Sequence, residues 1–306
     1  MFKKNMLFCD YFEEWVNLYK EGSVRPVTLK KYILTLQWLR TLIPDLKVRQ
    51  LDRANYQKLI NAYAENHEKQ TTMDFHYQVK AVIMDALDEG LIKKNPTKKV
   101  IIGGKMPKTK KEKCLSLSEL QKLIQDLNLD DNINNDWLIY LISKTGLRFS
   151  EAVGLTPSDF NFSKSTISIN KTWNYKDGGG FDYTKNDTSV RTIPIDKNLN
   201  REFKRLCKWL PSDKPIFIGE TGNIYNSTVN DTLKRHCKNV GIPNITVHGL
   251  RHTHASILLY SGVSVLGVSK RLGHSNISIT QKVYLHIILE LENKDKNKIM
   301  KSLAIF

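Results

Sequence analysis

The segment His248-Gly-Leu-Arg251-His252-Thr-His254 holds the densest set of chemically capable side chains in this 306-residue sequence. On a helix, His248 and Arg251 are three residues apart and project from one face, so an imidazole and a guanidinium can address the same ligand atom. His248 and His252, four apart, also have the spacing of a zinc pair. A metalloprotease-type HExxH site needs Glu where Gly249 stands, however, and no downstream carboxylate is spaced as a third ligand, so a phosphate is the preferred partner. Three other segments add to this set. Thr145-Gly-Leu-Arg148-Phe-Ser-Glu151 places an arginine just after a glycine break, with Glu151 one turn on to hold it by a charge-assisted bond. Thr184-Lys185-Asn186 sits at an expected hairpin, and Leu272-Gly273-His274 precedes Tyr284 by ten residues. Taken singly, an i,i+3 Arg–Glu pair is usually a surface pair, a hairpin lysine is usually solvated, and a lone tyrosine usually packs.

Several elements must position these groups. The first hundred residues predict four short amphipathic helices. One is capped by Asp10 and ends near Gly22, and a second opens at Thr28 and stops at Pro44. A third begins near Asp52, and a fourth starts at Thr71 or Thr72 and closes at Gly90. After Lys113 the pattern changes: a helix begins at Ser118, and Trp137–Ile142 is apolar enough for a core helix. The β-branched, alternating stretches 166–170 and 189–195 predict a small antiparallel sheet around a hairpin turn at Gly178-Gly179-Gly180. No Gly-Lys-Ser/Thr follows that triplet. Gly262 and Gly267 have the glycine spacing of a nucleotide-binding loop but carry Val268 where its lysine belongs, so neither predicts a nucleotide site. From Asn200 onward the sequence is helical again.

Composition narrows the function class. Forty-seven basic against 31 acidic side chains give a formal charge of +16, which makes polyanions the expected partners. Residues 105–113 alone contribute +4 through Lys105, Lys108, Lys110, Lys111 and Lys113 against Glu112, and they join two mildly basic halves. This arrangement predicts a clamp on nucleic acid, with domains at 1–104 and 114–306 and a basic linker between them. No stretch approaches 18 consecutive apolar residues, and the N-terminus lacks the apolar run of a signal peptide, so a soluble cytoplasmic protein is expected. Cys9, Cys114, Cys207 and Cys237 have no metal-ligand spacing and are expected as reduced structural thiols.

In its ordered motifs the chain resembles the tyrosine recombinase (phage integrase) family. The matches are Arg148 in TGLRFSEAVGL, Lys185 in TKNDTSVRTIPI, His248 and Arg251 in HGLRHTHAS, His274 in LGHSNISIT and Tyr284 in QKVYLH. The resemblance implies a mainly α fold with a small antiparallel β-sheet. It would consist of an N-terminal four-helix (SAM-like) core-binding domain and an α+β catalytic domain with a C-terminal tail from about residue 287. It implies strand cleavage through a 3′-phosphotyrosyl intermediate without metal, nucleotide or other cofactor. The partners it implies are double-stranded DNA and, on it, a homotetramer exchanging C-terminal tails, with an excision factor as a further candidate, in the bacterial cytoplasm at the nucleoid. Integration and excision of a phage or mobile element is the favoured role. The alternatives are a Xer-like resolvase, a type IB topoisomerase-like relaxing enzyme and, much less favoured, a non-catalytic DNA-binding module. The helical bundle begins almost at once, so the family's additional arm-binding domain is either absent by nature or lies upstream of this sequence.

Physical chemistry agrees with those roles. Reaching phenolate at neutral pH from a tyrosine pKa near 10 costs about 4 kcal/mol, so Tyr284 needs a base or a cationic site, and His248 is the candidate base. Arg148 and Arg251 suit the oxygens of a pentacoordinate phosphate, with His274 as a further donor and Glu151 orienting Arg148. Lys185 is the candidate acid for the departing 5′ oxygen.

Overall fold

Helix starts follow different local causes from one helix to the next: a side-chain cap, a proline or a buried aromatic pair. In a computed structural model of the chain, the described residues are 5–106, 114–176, 178–184, 187–219, 222–278, 280, 281 and 284. They fall in two compact units, 1–110 and 111–306.

The first unit is a bundle of α1 (Phe8–Tyr19), α2 (Pro26–Leu42), α3 (Arg53–Ala64) and α4 (Lys69–Asp88). Asp52 caps α3 as expected, its carboxylate accepting from the Asn55 N–H at 2.8 Å. The other starts differ. α1 begins at Phe8, ahead of Asp10, because Phe8 and Phe12 are both fully buried and pull that turn into the core. α2 opens at Pro26, whose fixed φ suits the first helical position, so Thr28 lies inside the helix. α4 begins at Lys69, and Thr72 instead donates to the Glu68 carbonyl at 3.2 Å. Gly90, with φ +69°, ends this helix in the left-handed conformation. The core stacks the Tyr63 ring between His67 and Phe75, each at 3.9 Å between centroids, and buries a hydrogen bond between the Tyr56 hydroxyl and His76 Nδ1 at 2.8 Å.

The second unit contains α5 (Leu117–Asp126), α6 (Asn135–Thr145), α7 (Phe149–Val153), β1 (Phe160–Asn161), β2 (Thr166–Ile169), β3 (Lys171–Trp173), β4 (Phe181–Tyr183) and β5 (Arg191–Pro194). α8 (Lys197–Leu206), α9 (Asn226–Asn239), α10 (Val247–Tyr260) and α11 (Val265–Leu272) follow. The cap of α5 is Ser116, because Glu119 stands three residues on and completes a capping box from that position. α6 is buried along almost its whole length and forms the spine of the core. Its Trp137 is fully buried and meets Phe203 edge-to-face at 5.9 Å, so truncating it to alanine costs about 4 kcal/mol.

The strands form two ladders instead of one. β2 pairs antiparallel with β1 and with β5, Ile167 opposite Ile193. β3 and β4 form a separate antiparallel hairpin closed through the glycine triplet. Gly178, Gly179 and Gly180 all have positive φ, the conformation such a turn requires. α10 packs on α6 and α11 on α10. Ala255, Leu259, Val268, Leu272 and Tyr284 then form a small apolar cluster of their own. All four cysteines are free thiols. Among the described residues no helix is long and apolar enough to cross a membrane.

Candidate active site

Two helices end at the same place, and their carbonyls turn toward arginines. α6 stops at Gly146 and α11 at Gly273, both left-handed, with φ +70° and +67°. Side chains are excluded at both. A Cβ on Gly146 would lie 2.7 Å from the His254 ring, and one on Gly273 would lie 2.7 Å from Arg191 Nη1. Arg251 donates from Nη1 to the Gly146 carbonyl and from Nη2 to the Leu272 carbonyl, each at 2.8 Å. Arg148 donates from Nη2 to the Gly273 carbonyl at 3.0 Å. The negative ends of two helix dipoles thus meet the two guanidiniums that the sequence singled out.

Glu151 draws these cations together. It is 1 % exposed and accepts from the Arg148 N–H at 3.0 Å and from Arg148 Nη1 at 2.6 Å. It also pairs with Arg191 through Nη2 at 3.0 Å and lies 4.0 Å from Arg251 Nη1. Burial alone would raise the Glu151 pKa, but Arg191, Arg148 and Arg251 outweigh it and hold the carboxyl below its ordinary value. Three guanidiniums and one carboxylate leave +2. Burial, with Arg148 beside it, pushes Arg251 down to about 9, so it stays protonated at neutral pH. The three arginines differ in access: the Arg148 side chain is 28 % exposed, against 8 % for Arg191 and 4 % for Arg251. Arg148 is therefore the guanidinium a ligand meets first.

Histidines border this cluster. His248 and Arg251 share one face of α10, which opens with Thr246 accepting from the Gly249 N–H at 3.2 Å. His248 is at the surface, yet local desolvation, then Arg251 and Arg148, lower its pKa. His274 pairs through Nδ1 with Thr280 Oγ1 at 2.7 Å, and burial together with the arginines lowers it to about 4. Both rings are neutral at pH 7. His254, one turn after Arg251, is inside the protein: its Nδ1 meets the Ser143 carbonyl at 3.1 Å and its Nε2 accepts from Arg271 Nε at 2.9 Å. Burial, then Arg271, push it to about 3.

Tyr284 is 3 % exposed, and its hydroxyl is hydrogen-bonded to His252 Nδ1 at 3.0 Å. Of the two neighbouring histidines, it is thus His252 that holds the phenol, while the His248 ring packs edge-to-face on His252 at 4.7 Å. Burial raises the Tyr284 pKa above its ordinary value, and the Arg251 charge works against that rise.

The structure therefore brings together Arg148, Glu151, His248, Arg251, His274 and Tyr284. Lys185 lies outside the described residues, as do Lys108, Lys110, Lys111, Lys113 and the tail from 287. Lys105 is exposed, its backbone N–H donating to the His67 carbonyl at 2.8 Å. No role for Arg191 follows from the sequence, although it stands in the quoted TKNDTSVRTIPI segment, and His252 is raised there only as half of a zinc-spaced pair with His248. In the first unit, an open cavity of about 950 Å³ is bordered by Arg49, Arg53, Lys93, Lys94, Lys98 and Lys99, and Lys99 has a positive φ of 59°. Among the described residues no group of three or more His, Cys, Asp or Glu is placed to hold a metal ion.

The description "Phage integrase family" matches residues 113–289 of the chain. A relative described as a XerC-like tyrosine recombinase, from Caldanaerobacter subterraneus subsp. tengcongensis, is 30 % identical, aligned over 91 % of this chain and 79 % of its own length. The integrase of Staphylococcus phage L54a is 26 % identical over 97 % of this chain and 94 % of its own. Among solved structures, the Tn1549 transposon integrase in complex with a circular intermediate DNA superposes with a TM-score of 0.76 at 20 % identity. That match covers 90 % of this chain and 94 % of the other. The chain belongs to the phage integrase family, the tyrosine recombinases.

Proposed function

We propose that this recombinase integrates and excises a mobile element by cutting and rejoining DNA through Tyr284. The observation that carries the reading is the +2 arginine cluster around Glu151, with a tyrosine hydroxyl presented by His252 from the same helix that carries Arg251. In the chemistry that follows, the Tyr284 oxygen bonds to the scissile phosphorus as its proton passes to His252 Nδ1. The P–O5′ bond then breaks, and the 5′ oxygen takes a proton from Lys185. Arg148, Arg251 and neutral His274 meet the non-bridging oxygens, where negative charge grows in the transition state. His248, neutral and beside His252, is the alternative proton acceptor. The phosphotyrosyl ester keeps the energy of the broken bond, so resealing needs no nucleotide.

Tyr284 lies in the small apolar cluster, where burial raises its pKa, so activation needs a base or positive charge that offsets the cost of the phenolate. DNA is held by both units. In the first, the cationic border of the cavity at Arg49, Arg53 and Lys93–Lys99 supplies phosphate contacts in addition to Lys105, Lys108, Lys110, Lys111 and Lys113 in the linker. With about eight phosphates neutralised per protomer, log K falls with log salt at a slope of about −7. A DNA-bound tetramer exchanging tails beyond residue 287 completes the reading, acting in the cytoplasm at the nucleoid with an excision factor setting direction. Removing residues 292–306 then weakens recombination more than single-site binding; equal loss of both rejects tail exchange.

The test is to mix the protein with nicked duplex target DNA in EDTA and run a denaturing gel. A Tyr284-dependent covalent adduct, followed by strand exchange between two sites, supports the reading. Relaxation of supercoils without exchange points to a topoisomerase, exchange confined to a chromosomal dimer site points to a resolvase, and absence of any adduct overturns the reading.

A further inference from the structure

We propose that Arg191 is a positioning residue of the cleavage reaction: it sets the aim and the available charge of Arg148 through the Glu151 carboxylate that the two arginines share. The inference rests on the reaction proposed above and assigns it one more participant. Arg191 opens β5, six residues after Lys185. Its Nε donates to the Arg271 carbonyl at 2.7 Å and its Nη1 to the Ser189 carbonyl at 2.9 Å. The two terminal nitrogens close on the Glu151 carboxylate, Nη1 to Oε1 at 3.3 Å and Nη2 to Oε2 at 3.0 Å. All three nitrogens of its guanidinium are thus bonded to protein groups, so its effect on a substrate passes through a neighbour.

That neighbour is identified by geometry. Arg148 is fixed at two points: Nη1 on Glu151 Oε1 and Nη2 on the Gly273 carbonyl. Arg191 is bonded to the first of these groups, the Glu151 carboxylate, and packs beside the residue that carries the second, since a Cβ on Gly273 would meet its Nη1 at 2.7 Å. The carboxylate that fixes the phosphate-facing guanidinium is therefore itself held by Arg191.

Charge points the same way. Without Arg191, the Glu151 carboxylate is shared by Arg148 and Arg251 alone, and the cluster falls from +2 to +1 just where a transferring phosphodiester becomes more negative. Lysine at 191 keeps the charge but loses the planar two-point grip.

The test compares wild type, R191K and R191Q in single-turnover adduct formation on a nicked duplex, with DNA affinity and thermal unfolding measured on the same samples. The expected result is DNA binding close to wild type, an adduct rate about 100-fold lower for R191Q, and an intermediate rate for R191K. A second substrate carries a neutral methylphosphonate at the scissile position. On it the transition state needs less positive charge, so the R191Q defect shrinks to about fivefold or less. A merely structural role would leave the same fold-defect on both substrates, and that result overturns the proposal, as does a wild-type rate from R191Q. If R191Q does not fold, the same comparison of the two substrates with R191K decides. A wild type that forms no adduct overturns the proposed reaction itself, whereas a Tyr284-dependent adduct indifferent to Arg191 overturns this inference alone.

Discussion

The arginine end and the tyrosine end of the site are built on opposite plans. Around Glu151, Arg148, Arg191 and Arg251 are each fixed by two or more partners, drawn from the ends of α6 and α11 and from the carboxylate itself. At the other end, among the described residues, Tyr284 shares one hydrogen bond with His252 and has a few apolar neighbours. Positive charge that must match a transition state gains from being fixed beforehand, since nothing then reorganises during the reaction. A nucleophile that must approach, bond and later leave gains from a hold that one bond can release. The difference predicts losses read mainly as rate at the tyrosine end and losses read also as stability at the arginine end.

The largest effect is expected at the atom that reacts. Tyr284→Phe removes the nucleophile while keeping the ring in its apolar cluster, so adduct formation falls at least about 10⁴-fold with DNA binding retained; gel-shift and denaturing-gel assays read the two quantities. Next comes the fixed end. Glu151→Gln leaves three guanidiniums without a buried counter-charge and costs about 3 kcal/mol of stability in the second unit, read by chemical unfolding. A stability within about 0.5 kcal/mol of wild type would show that the helix C-termini alone hold the arginines.

His252→Gln is expected to slow adduct formation about 100-fold, whereas His248→Gln slows it less. The reverse order would return the base to His248 and break the contrast between the two ends.

The pH dependence of stability comes from groups whose folded pKa lies below the unfolded one. His254, pushed to about 3 from 6.5, contributes stability that is present above pH 6.5 and is lost as pH falls toward 3. Glu151, held below 4.5, adds a loss that begins only under that value. Denaturation midpoints of the second unit should therefore begin to fall near pH 6, and His254→Gln should partly flatten the part between 6.5 and 4.5, where His274, lowered to about 4, contributes as well. The smallest effect concerns the first unit. Changing Lys93, Lys94, Lys98 and Lys99 to glutamine should make the salt slope of DNA binding shallower by about 0.9 for each phosphate no longer neutralised, leaving cleavage of bound DNA unaltered.

How much of this was legible follows from where each signal resides. Arg148, Glu151, His248 and Arg251 could be found because each has another candidate within one turn, and local spacing reports such neighbours; the carbonyls that Arg148 and Arg251 reach at Gly273, Gly146 and Leu272 could not. The Asp52 cap and the glycine-triplet turn are local too. Arg191 was hidden because its partners, Glu151 and the Arg271 carbonyl, lie 40 and 80 residues away in the chain. The available signal was a charged residue opening an otherwise β-branched strand. The contact of His252 with Tyr284 was hidden for a related reason: its partner comes from 32 residues downstream, and an i,i+4 histidine pair reads first as metal ligands. The separate β3–β4 ladder was also missed, since alternation reveals strands but not which strand each one pairs with.

The most direct measurement is to trap the protein on a nicked duplex, digest the complex and identify by mass spectrometry the amino acid that carries the nucleotide. A single modified peptide is expected, with the 3′-phosphate esterified to the Tyr284 oxygen. Attachment to any other side chain, or a nicked and resealed product with no protein-bound intermediate, would overturn the proposed chemistry.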